Sequence, residues 1–169
     1  MDAETVLNSP MVSDPLRLLQ ICATSDGAAA VVLASEEFAR RMNKDAVRVR
    51  AISTLTPEYP RTIPDFPYLA SDSAALTVPG GRTFRESLAH TAYEAAGVGP
   101  EDVDVAEVYD LTTAMELDWY EEIGLCAAGE AEKLLHDGVT ALGGRVPVNP
   151  SGGLSSFGEA VPAQAIAQV

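Results

Sequence analysis

The chain has 169 residues, of which 47% are hydrophobic and 21% charged, a composition that is typical of a globular protein with its own core. The formal net charge is -14, and the 11 Lys and Arg residues are dispersed, which excludes the clustered cations of a nucleic-acid surface. Two cysteines are too few for a disulfide framework, no apolar run approaches the roughly 20 residues that span a bilayer, and the acidic N-terminus lacks a signal-peptide pattern, so we expect a cytoplasmic protein.

The first part of the chain contains one extended stretch, two candidate strands and a helix start. Two prolines break any helix within residues 1–20, which we expect to be extended. The small apolar residues of 28–34 predict a strand buried on both faces, and the serine and two glutamates of 35–37 predict a helix start. Residues 46–55 alternate between apolar and polar side chains, which is typical of a half-exposed strand.

Residues 56–81 form a long segment rich in proline, with two adjacent glycines and three aromatic residues. A loop of this length inside a compact domain is usually either functional or disordered, and its aromatic groups are suited to covering a bound ligand. Thr83 and Glu86 then match a capping box, and the helix that follows is expected to end at Ala96, with Gly97 as its stop.

The second part continues the alternation of helices and strands. It predicts one helical turn at 100–102, strands at 103–108 and 146–148, and helices at 112–123, 129–137 and 159–169. This alternation favours an α/β fold with a largely parallel sheet.

A glycine-rich turn with the sequence VNPSGGLSSFGEA is the strongest single motif. Gly152 and Gly153 permit positive φ angles and a close backbone approach to a ligand, while Asn149 and Ser151 offer polar groups. Gly158 is expected to precede a helix whose free N–H groups face an anion or a developing oxyanion. The spacing leaves two interpretations open, a strand–turn–helix connector or a binding site.

Tyr109 and Asp110 stand at the end of the predicted strand 103–108, where ligand sites gather in α/β sheets. A phenol at this place can donate to an enolate or carbonyl oxygen, or act as a base if its pKa is lowered. The alternative is that Tyr109 packs in the core and Asp110 caps the next helix. Glu159 also has two interpretations, a cap in the first turn of the last helix or a general acid/base.

The remaining reactive residue types are expected to be structural. Neither His90 nor His136 shows metal-like spacing, and Cys126 has no neighbouring base that would make it a nucleophile. The sequence contains no P-loop, dinucleotide fingerprint or zinc spacing, so it predicts no metal and no cofactor.

Three blocks of the sequence resemble the thiolases. ICATSDGAAAVVLASEEFARR resembles the thiolase segment that links the two halves, and the blocks AEVYDLTTAMELDWYEEIGLCAAGEAEKLLHDG and GGRVPVNPSGGLSSFGEAVPAQAIAQV are similar to the C-terminal half of sterol-carrier-type thiolases. The resemblance implies an α/β, αβαβα layered fold in a homodimer. It further implies an incomplete piece dominated by the C-terminal half: 1–44 would be the end of the N-terminal half and the linker, and 45–169 the C-terminal half without its last strands.

The sequence departs from the thiolase pattern at the catalytic positions. Tyr109 stands where these thiolases carry the histidine of a His-Asp-Cys-Phe block, and Gly158-Glu159-Ala160 stands where they carry Gly-His-Pro. The family's nucleophilic cysteine belongs to the N-terminal half, and its last cysteine-glycine motif would follow Val169. The resemblance therefore implies that ordinary thiolase chemistry is not carried by this chain, and that the piece alone is inactive and tends to self-associate.

The pattern instead resembles the actinobacterial lipid-transfer subgroup, thiolase-like proteins of steroid side-chain degradation. Members that act as aldolases cleave a β-hydroxyacyl-CoA to a ketone and a shorter acyl-CoA, together with an OB-fold partner carried by an acyl-CoA hydratase. This resemblance implies an acid/base or enolate-stabilising role for Tyr109, with Glu159 assisting and the turn from Asn149 to Leu154 lining the acyl-CoA pocket. The alternatives are an acyltransferase with its cysteine in the other half, or a non-catalytic acyl-CoA or lipid carrier.

Overall fold

The structure, a computed structural model, describes residues 1–42, 45–55 and 84–169. The proline-rich loop predicted at 56–81 and the capping box that begins at Thr83 lie outside the described residues. The described elements are α1 (Ala3–Leu7), β1 (Met11–Ser13), β2 (Leu16–Arg17), a 3-10 turn (Leu18–Gln20), α2 (Glu36–Arg41), α3 (Phe84–Ala96), a second 3-10 turn (Pro100–Asp102), α4 (Thr113–Glu122), α5 (Ala131–His136), α6 (Gly153–Phe157) and α7 (Ala163–Ala167).

The N-terminal segment is more regular than the extended stretch predicted for 1–20. Asp2 caps α1, because its carboxylate accepts the N–H of Thr5 at 2.8 Å. After Pro10, strands β1 and β2 pair antiparallel, with Met11 opposite Arg17. The prediction of a wholly extended segment was wrong because the proline follows the helix and so does not interrupt it.

Helix boundaries in the rest of the chain follow local sequence signals. The Ser35 hydroxyl accepts the N–H of Phe38 at 3.2 Å and caps α2. Helix α3 ends before Gly97, whose φ of 67° suits a glycine. The Thr112 hydroxyl accepts the N–H of Met115 at 3.2 Å and caps α4. The predicted helix start at 35–37, the end at Ala96, the turn at 100–102 and the helices near 112–123 and 129–137 are confirmed.

The predicted strands at 28–34 and 46–55 do not form within the described residues. Both segments lack regular pairing, and Val32 and Val47 are 94% and 96% exposed. A period-two or apolar pattern makes an extended backbone favourable, but a strand exists only beside a hydrogen-bonded neighbour. The expected burial of 28–34 on both faces was therefore wrong for the described part of the chain.

The predicted strands 103–108 and 146–148 are reduced to one parallel bridge between Ala106 and Val148. The N–H of Ala106 donates to the Pro147 carbonyl at 3.0 Å, and the N–H of Asn149 donates to the Ala106 carbonyl at 2.8 Å. This pairing is a single bridge and is too short to form a strand ladder. The two segments still lie side by side, as a parallel pair would place them.

The core lies between helices α4 and α5 and these two bridged segments. Tyr120 and Val146 are 1% and 0% exposed. Around them packs an apolar cluster that also contains Val108, Leu125, Ala131 and Val148. This cluster packs the second half of α4 against the segment that leads to Tyr109.

The helix predicted at 159–169 begins later and is shorter than expected. Gly158, at φ 78°, ends helix α6, and residue 159 lies in an isolated bridge. Helix α7 begins only at Ala163, directly after Pro162. The alanine-rich composition favours a helix from residue 159, but residue 159 is held in a bridge and Pro162 disfavours a helical backbone at the residue before it. Within the ranges described, no helix is both long and apolar enough to cross a membrane.

Candidate functional site

A short backbone segment, 21–25, lies between the two parts of the chain that carry Tyr109 and Glu159. The N–H of Cys22 donates to the Leu111 carbonyl at 3.0 Å. On the other side, the N–H of Glu159 donates to the Ala23 carbonyl at 2.7 Å. These bonds bring two predicted site residues together across 50 positions of sequence.

The side chains of Tyr109 and Glu159 are in direct contact. The Tyr109 phenol donates a hydrogen bond to Oε1 of Glu159. Burial, followed by the hydrogen bond to Glu159 and its negative charge, raises the pKa of the Tyr109 phenol well above its ordinary value. Tyr109 therefore keeps its proton at neutral pH, and the pair offers one proton donor beside one carboxylate.

Cys22 is a third group at this place, and the sequence analysis did not identify it. Burial, then the charges of Glu159 and Asp110, raises the pKa of the Cys22 thiol. The thiol is thus kept neutral, unlike an activated nucleophile. No sequence signal relates Cys22 to Tyr109, because only long-range backbone pairing brings the two segments together.

Asp110 is buried, at 2% exposure, and caps helix α6. Its carboxylate accepts the N–H of Leu154 at 2.8 Å and that of Ser155 at 3.3 Å. The alternative that Asp110 caps the helix after it was wrong, because Thr112 fills that role. The N–H groups at the start of helix α6 are consequently occupied by a carboxylate of the chain itself.

The two adjacent glycines make room for Asp110 and for the turn. Gly153 has a φ of 60°, and a Cβ at this position would lie 2.3 Å from Oδ2 of Asp110. Gly152 has a φ of 99°, and a Cβ there would lie 2.6 Å from Oγ of Ser156. The close approach predicted for these glycines does occur, but the approaching group is a side chain of this protein.

Gly158 brings the end of the turn against segment 21–25. Its φ is 78°, and a Cβ at this position would lie 2.7 Å from the carbonyl oxygen of Ala23. A side chain at this position would collide with the segment. Gly158 follows helix α6, and its predicted position before a helix was wrong because the helix had already begun at Gly153.

Asn149 and Ser151 hold the other end of the turn. Asn149 adopts a φ of 49°, and its Oδ1 accepts the N–H of Val108 at 2.8 Å. The N–H and hydroxyl of Ser151 both donate to the Glu107 carboxylate, at 2.9 and 2.8 Å. Both residues, predicted to bind substrate, are engaged in fastening the turn to the segment that carries Tyr109.

Behind the turn lies a buried polar group that the sequence analysis also missed. The Tyr120 phenol, 1% exposed, donates to Oε1 of Glu116 one helical turn earlier. Burial is the main cause that raises the pKa of the Glu116 carboxyl. The spacing of four residues on a helix is the signal that would have linked these two side chains.

The remaining candidate residues lie elsewhere. His90 Nδ1 is 3.3 Å from Glu94 Oε2, four residues on, a partner that the sequence analysis overlooked. Burial and the charges of Glu121 and Glu130 raise the pKa of the Cys126 thiol. Across the described ranges, no group of three or more His, Cys, Asp or Glu side chains is arranged to hold a metal ion.

A groove of about 630 Å³ lies between helix α3 and the end of helix α4. His90 and Tyr93 line it, together with several carboxylates. The groove contains none of the predicted site residues and is separate from the Tyr109–Glu159 contact. We therefore take that contact, with Cys22 and the turn 149–158, as the candidate site.

The chain matches a known protein family over most of its second part. The sequence profile of the family described as Thiolase C-terminal domain-like matches residues 72–169, more than half of the chain. The chain belongs to this family.

Individual relatives extend the thiolase match to almost the whole chain. Benzoylsuccinyl-CoA thiolase subunit BbsB of Thauera aromatica is 38% identical over 170 residues, covering 98% of this chain and 40% of that protein. Sterol carrier protein 2 of Oryctolagus cuniculus is 38% identical over 165 residues, covering 98% of this chain and 29% of that protein. The chain thus spans well under half the length of these relatives.

A solved structure, the Ltp2-ChsH2(DUF35) aldolase, aligns with a TM-score of 0.63 at 28% identity. The alignment covers 90% of this chain and 38% of that one. The predicted thiolase-like fold is therefore confirmed. Within this thiolase-like chain, the two positions expected to replace thiolase histidines, Tyr109 and Glu159, are the two whose side chains meet.

Proposed function

We propose that the protein is a thiolase-like lyase that cleaves a β-hydroxyacyl-CoA by retro-aldol chemistry, releasing a ketone and a shorter acyl-CoA. The observation that carries the proposal is the hydrogen bond from the protonated Tyr109 phenol to the Glu159 carboxylate. Such a pair supplies the base and the acid that a retro-aldol reaction needs, and the reaction requires no thiolate. The solved structure that aligns with this chain is named an aldolase, which supports the same class of reaction.

The proposed steps use one proton that moves through the pair. Glu159 accepts the proton of the β-hydroxyl group, the bond between the α and β carbons breaks, and the β carbon becomes the carbonyl carbon of the ketone. The electron pair of the broken bond forms the thioester enolate, and Tyr109 then donates its proton to the α carbon, which gives the shorter acyl-CoA. Proton return from Glu159 to Tyr109 restores the starting state.

Substrate, partner and assembly belong to the same proposal. A branched or steroid acyl-CoA would lie over the turn 149–154, and the division into 1–44 and 45–169 would place Tyr109 and Glu159 in the C-terminal half. A homodimer and an OB-fold partner attached to an acyl-CoA hydratase would complete the assembly. The cytoplasmic location stays a prediction from the sequence.

The test uses the complete gene product, with and without an OB-fold partner, and a β-hydroxyacyl-CoA. We expect the ketone and the shorter acyl-CoA in equal amounts by mass spectrometry. Tyr109→Phe should lower the rate about 100-fold or more, the range in which general acid–base catalysis contributes. Tyr93→Phe is the matched control, since the Tyr93 hydroxyl bonds the Ile123 carbonyl away from the site. Ketone release that is absent, or unchanged in Tyr109→Phe, contradicts the mechanism.

A second candidate function is acyl transfer, with a nucleophilic cysteine outside this chain. The names of the relatives, a thiolase subunit and acetyl-CoA acetyltransferases, favour it. The dependence of the reaction on free coenzyme A distinguishes the two functions, because thiolysis consumes free coenzyme A and retro-aldol cleavage does not. A carrier without catalytic activity would return the bound acyl-CoA unchanged in both assays.

A further inference from the structure

Gln168, which directly follows helix α7, donates two hydrogen bonds to the segment that leads to Tyr109. Its Nε2 lies 3.1 Å from the carbonyl oxygen of Val108 and 3.3 Å from Oε2 of Glu107. Both neighbours are acceptors, so the amide nitrogen, which carries two hydrogen atoms, has to face them. The Gln168 side chain is half-buried and Val108 is buried. Gln168 therefore joins helix α7 to the backbone beside the candidate site.

A second side-chain amide holds the other polar backbone group of Val108. Oδ1 of Asn149 accepts the Val108 N–H at 2.8 Å. We refer to Asn149 and Gln168 together as the amide clamp. In a sheet, neighbouring strands would supply these two bonds. Here the strand pairing is reduced to the bridge at Ala106, and the amide clamp takes its place at Val108.

The amide clamp fixes the direction in which the chain enters Tyr109. Each peptide unit is planar, so the bond to the Val108 N–H fixes the plane before Val108, and the bond to its carbonyl fixes the plane that ends at the Tyr109 nitrogen. If the second plane rotated, the Tyr109 side chain would turn with it, because the direction of its Cα–Cβ bond follows the backbone. Loss of the Gln168 bond would also deprive a buried carbonyl of its donor, which favours such a rearrangement.

Helix α7 also connects the amide clamp to the other member of the candidate pair. The Tyr109 phenol donates to the Glu159 carboxylate. Glu159 lies shortly before helix α7, which begins at Ala163, and Gln168 follows the same helix. Gln168 thus fastens the part of the chain that follows Glu159 to the segment that carries Tyr109.

We propose that Gln168 is a positioning residue: through the Val108 carbonyl it orients the backbone of Tyr109 and so keeps the phenol in contact with Glu159. The hydrogen bonds of its amide go to Val108 and Glu107, not to either member of the pair. The effect of Gln168 on the reaction rate rests on the proposed lyase function, whereas its effect on the Tyr109 phenol does not.

The first test observes the Tyr109 phenol directly. Tyrosine labelled with ¹³C at Cζ is incorporated into the complete gene product, and the Tyr109 signal is assigned by its loss in Tyr109→Phe. The chemical shift of Cζ depends on the hydrogen bond that the phenol donates, and Glu159→Ala gives its value for the broken contact. Gln168→Met keeps the length of the side chain without the amide, and we expect it to move the signal toward that value at neutral pH. A signal that stays in place in folded Gln168→Met, or in Glu159→Ala, overturns the proposal.

Gln164 provides a matched control on the same helix. It is 5% exposed, and its Oε1 has no hydrogen-bond partner within the described residues. Gln164→Met makes the same chemical change without removing a bond to the Tyr109 segment, so the Tyr109 signal should stay in place. A movement equal to that in Gln168→Met would mean that any change in helix α7 disturbs the site, and it would overturn the specific role of Gln168.

An exchange of donor and acceptor separates the two bonds of Gln168. In Gln168→Glu both bonds are lost, because the new carboxylate cannot donate to the Val108 carbonyl or to Glu107. Adding Glu107→Gln restores a donor opposite the new carboxylate but leaves the Val108 carbonyl without one. We expect the Tyr109 signal to be displaced in both the single and the double variant. A signal that Glu107→Gln restores would show that Gln168 acts through Glu107, and would overturn the action through Val108.

Kinetics provide the last measurement. A small misplacement of a catalytic group costs rate, so Gln168→Met should lower kcat by about 10- to 100-fold with KM little changed, while Gln164→Met keeps the kcat of the parent. A kcat of Gln168→Met equal to that of the parent overturns the proposal. If the parent cleaves no β-hydroxyacyl-CoA, the lyase proposal fails, and the Cζ signal of Tyr109 still decides this one.

Discussion

Single residues of the candidate site divide into one carboxylate and two groups that retain their protons. Burial and the charge of Glu159 raise the pKa of both the Tyr109 phenol and the Cys22 thiol. A thiol with a raised pKa has little thiolate at neutral pH and is a weak nucleophile. Proton exchange between Tyr109 and Glu159 needs no thiolate, so the local electrostatics favour acid–base chemistry over acyl transfer to Cys22.

Glu159→Gln should increase the reactivity of Cys22. Because the raised pKa lowers the thiolate fraction at pH 8, removing the Glu159 charge should lower that pKa and speed alkylation by iodoacetamide by about twofold or more. The rate is measured by mass spectrometry of the peptide that contains Cys22. Cys126 is an internal control, since other carboxylates, Glu121 and Glu130, act on its pKa. Equal rates for Cys22 in both proteins would contradict an electrostatic influence of Glu159.

Helix α6 illustrates how an element of five residues is kept folded. Too few hydrogen bonds lie within it to offset the cost of starting a helix, so tertiary contacts must stabilise it. Asp110 supplies two such contacts at its first turn, and Gly153 leaves the space for that carboxylate. The element therefore depends on a residue 44 positions earlier in the sequence.

Gly153→Ala should destabilise the protein by about 1–3 kcal/mol in urea denaturation, through strain at positive φ and a collision with Asp110. Gly129→Ala isolates the first cause, because Gly129 has a φ of 81° and open space around its Cβ position. We expect the Gly129 variant to lose only about 1 kcal/mol. The double variant Asp110→Ala/Gly153→Ala should lose less stability than the sum of the losses in the two single variants. Equal losses at both glycines would rule out the collision.

The contrast between local and long-range contacts explains which elements the sequence could predict. Helices α2 and α3 were predicted because local signals, Ser35 at a start and Gly97 at an end, act on neighbours in the sequence. Helix α4 was predicted as well, but its cap is Thr112 and not Asp110. The strands at 28–34 and 46–55 were not, because a strand requires a partner that a local pattern does not name. Likewise, the Tyr109–Glu159 contact needed the family resemblance, and Cys22 needed the long-range backbone pairing.

On the scale of the whole molecule, the described part of the chain exposes apolar side chains in two unpaired segments. Val32, Leu33, Val47 and Ile52 are each at least 80% exposed. Extended apolar segments with free backbone groups are prone to pair with another chain. The net charge of -14 opposes association, so the outcome depends on salt.

Val32→Ser together with Val47→Ser should reduce self-association of the 169-residue chain. Both side chains are more than nine-tenths exposed, so the melting temperature should stay the same while the apparent molar mass at high salt falls. Light scattering after size-exclusion chromatography measures the molar mass. Leu142→Ser, which changes a residue that is 79% exposed in a turn, is the control and should not alter association. An identical molar mass in parent and double variant would show that these segments are not the contact surface.

The position of segment 21–25 also has a consequence for the folding pathway. It joins a stretch near residue 110 to one near residue 159, so its contacts have high sequence separation. Closing such large loops is slow, because the entropy of the chain is lost before the surrounding contacts form and compensate for that loss. Helices α4 and α5 can form and collapse first, whereas the pairing of Tyr109 with Glu159 must wait for the distant segment to arrive. The candidate site would thus be among the last regions to fold, and formation of the Tyr109–Glu159 hydrogen bond would mark the completion of folding.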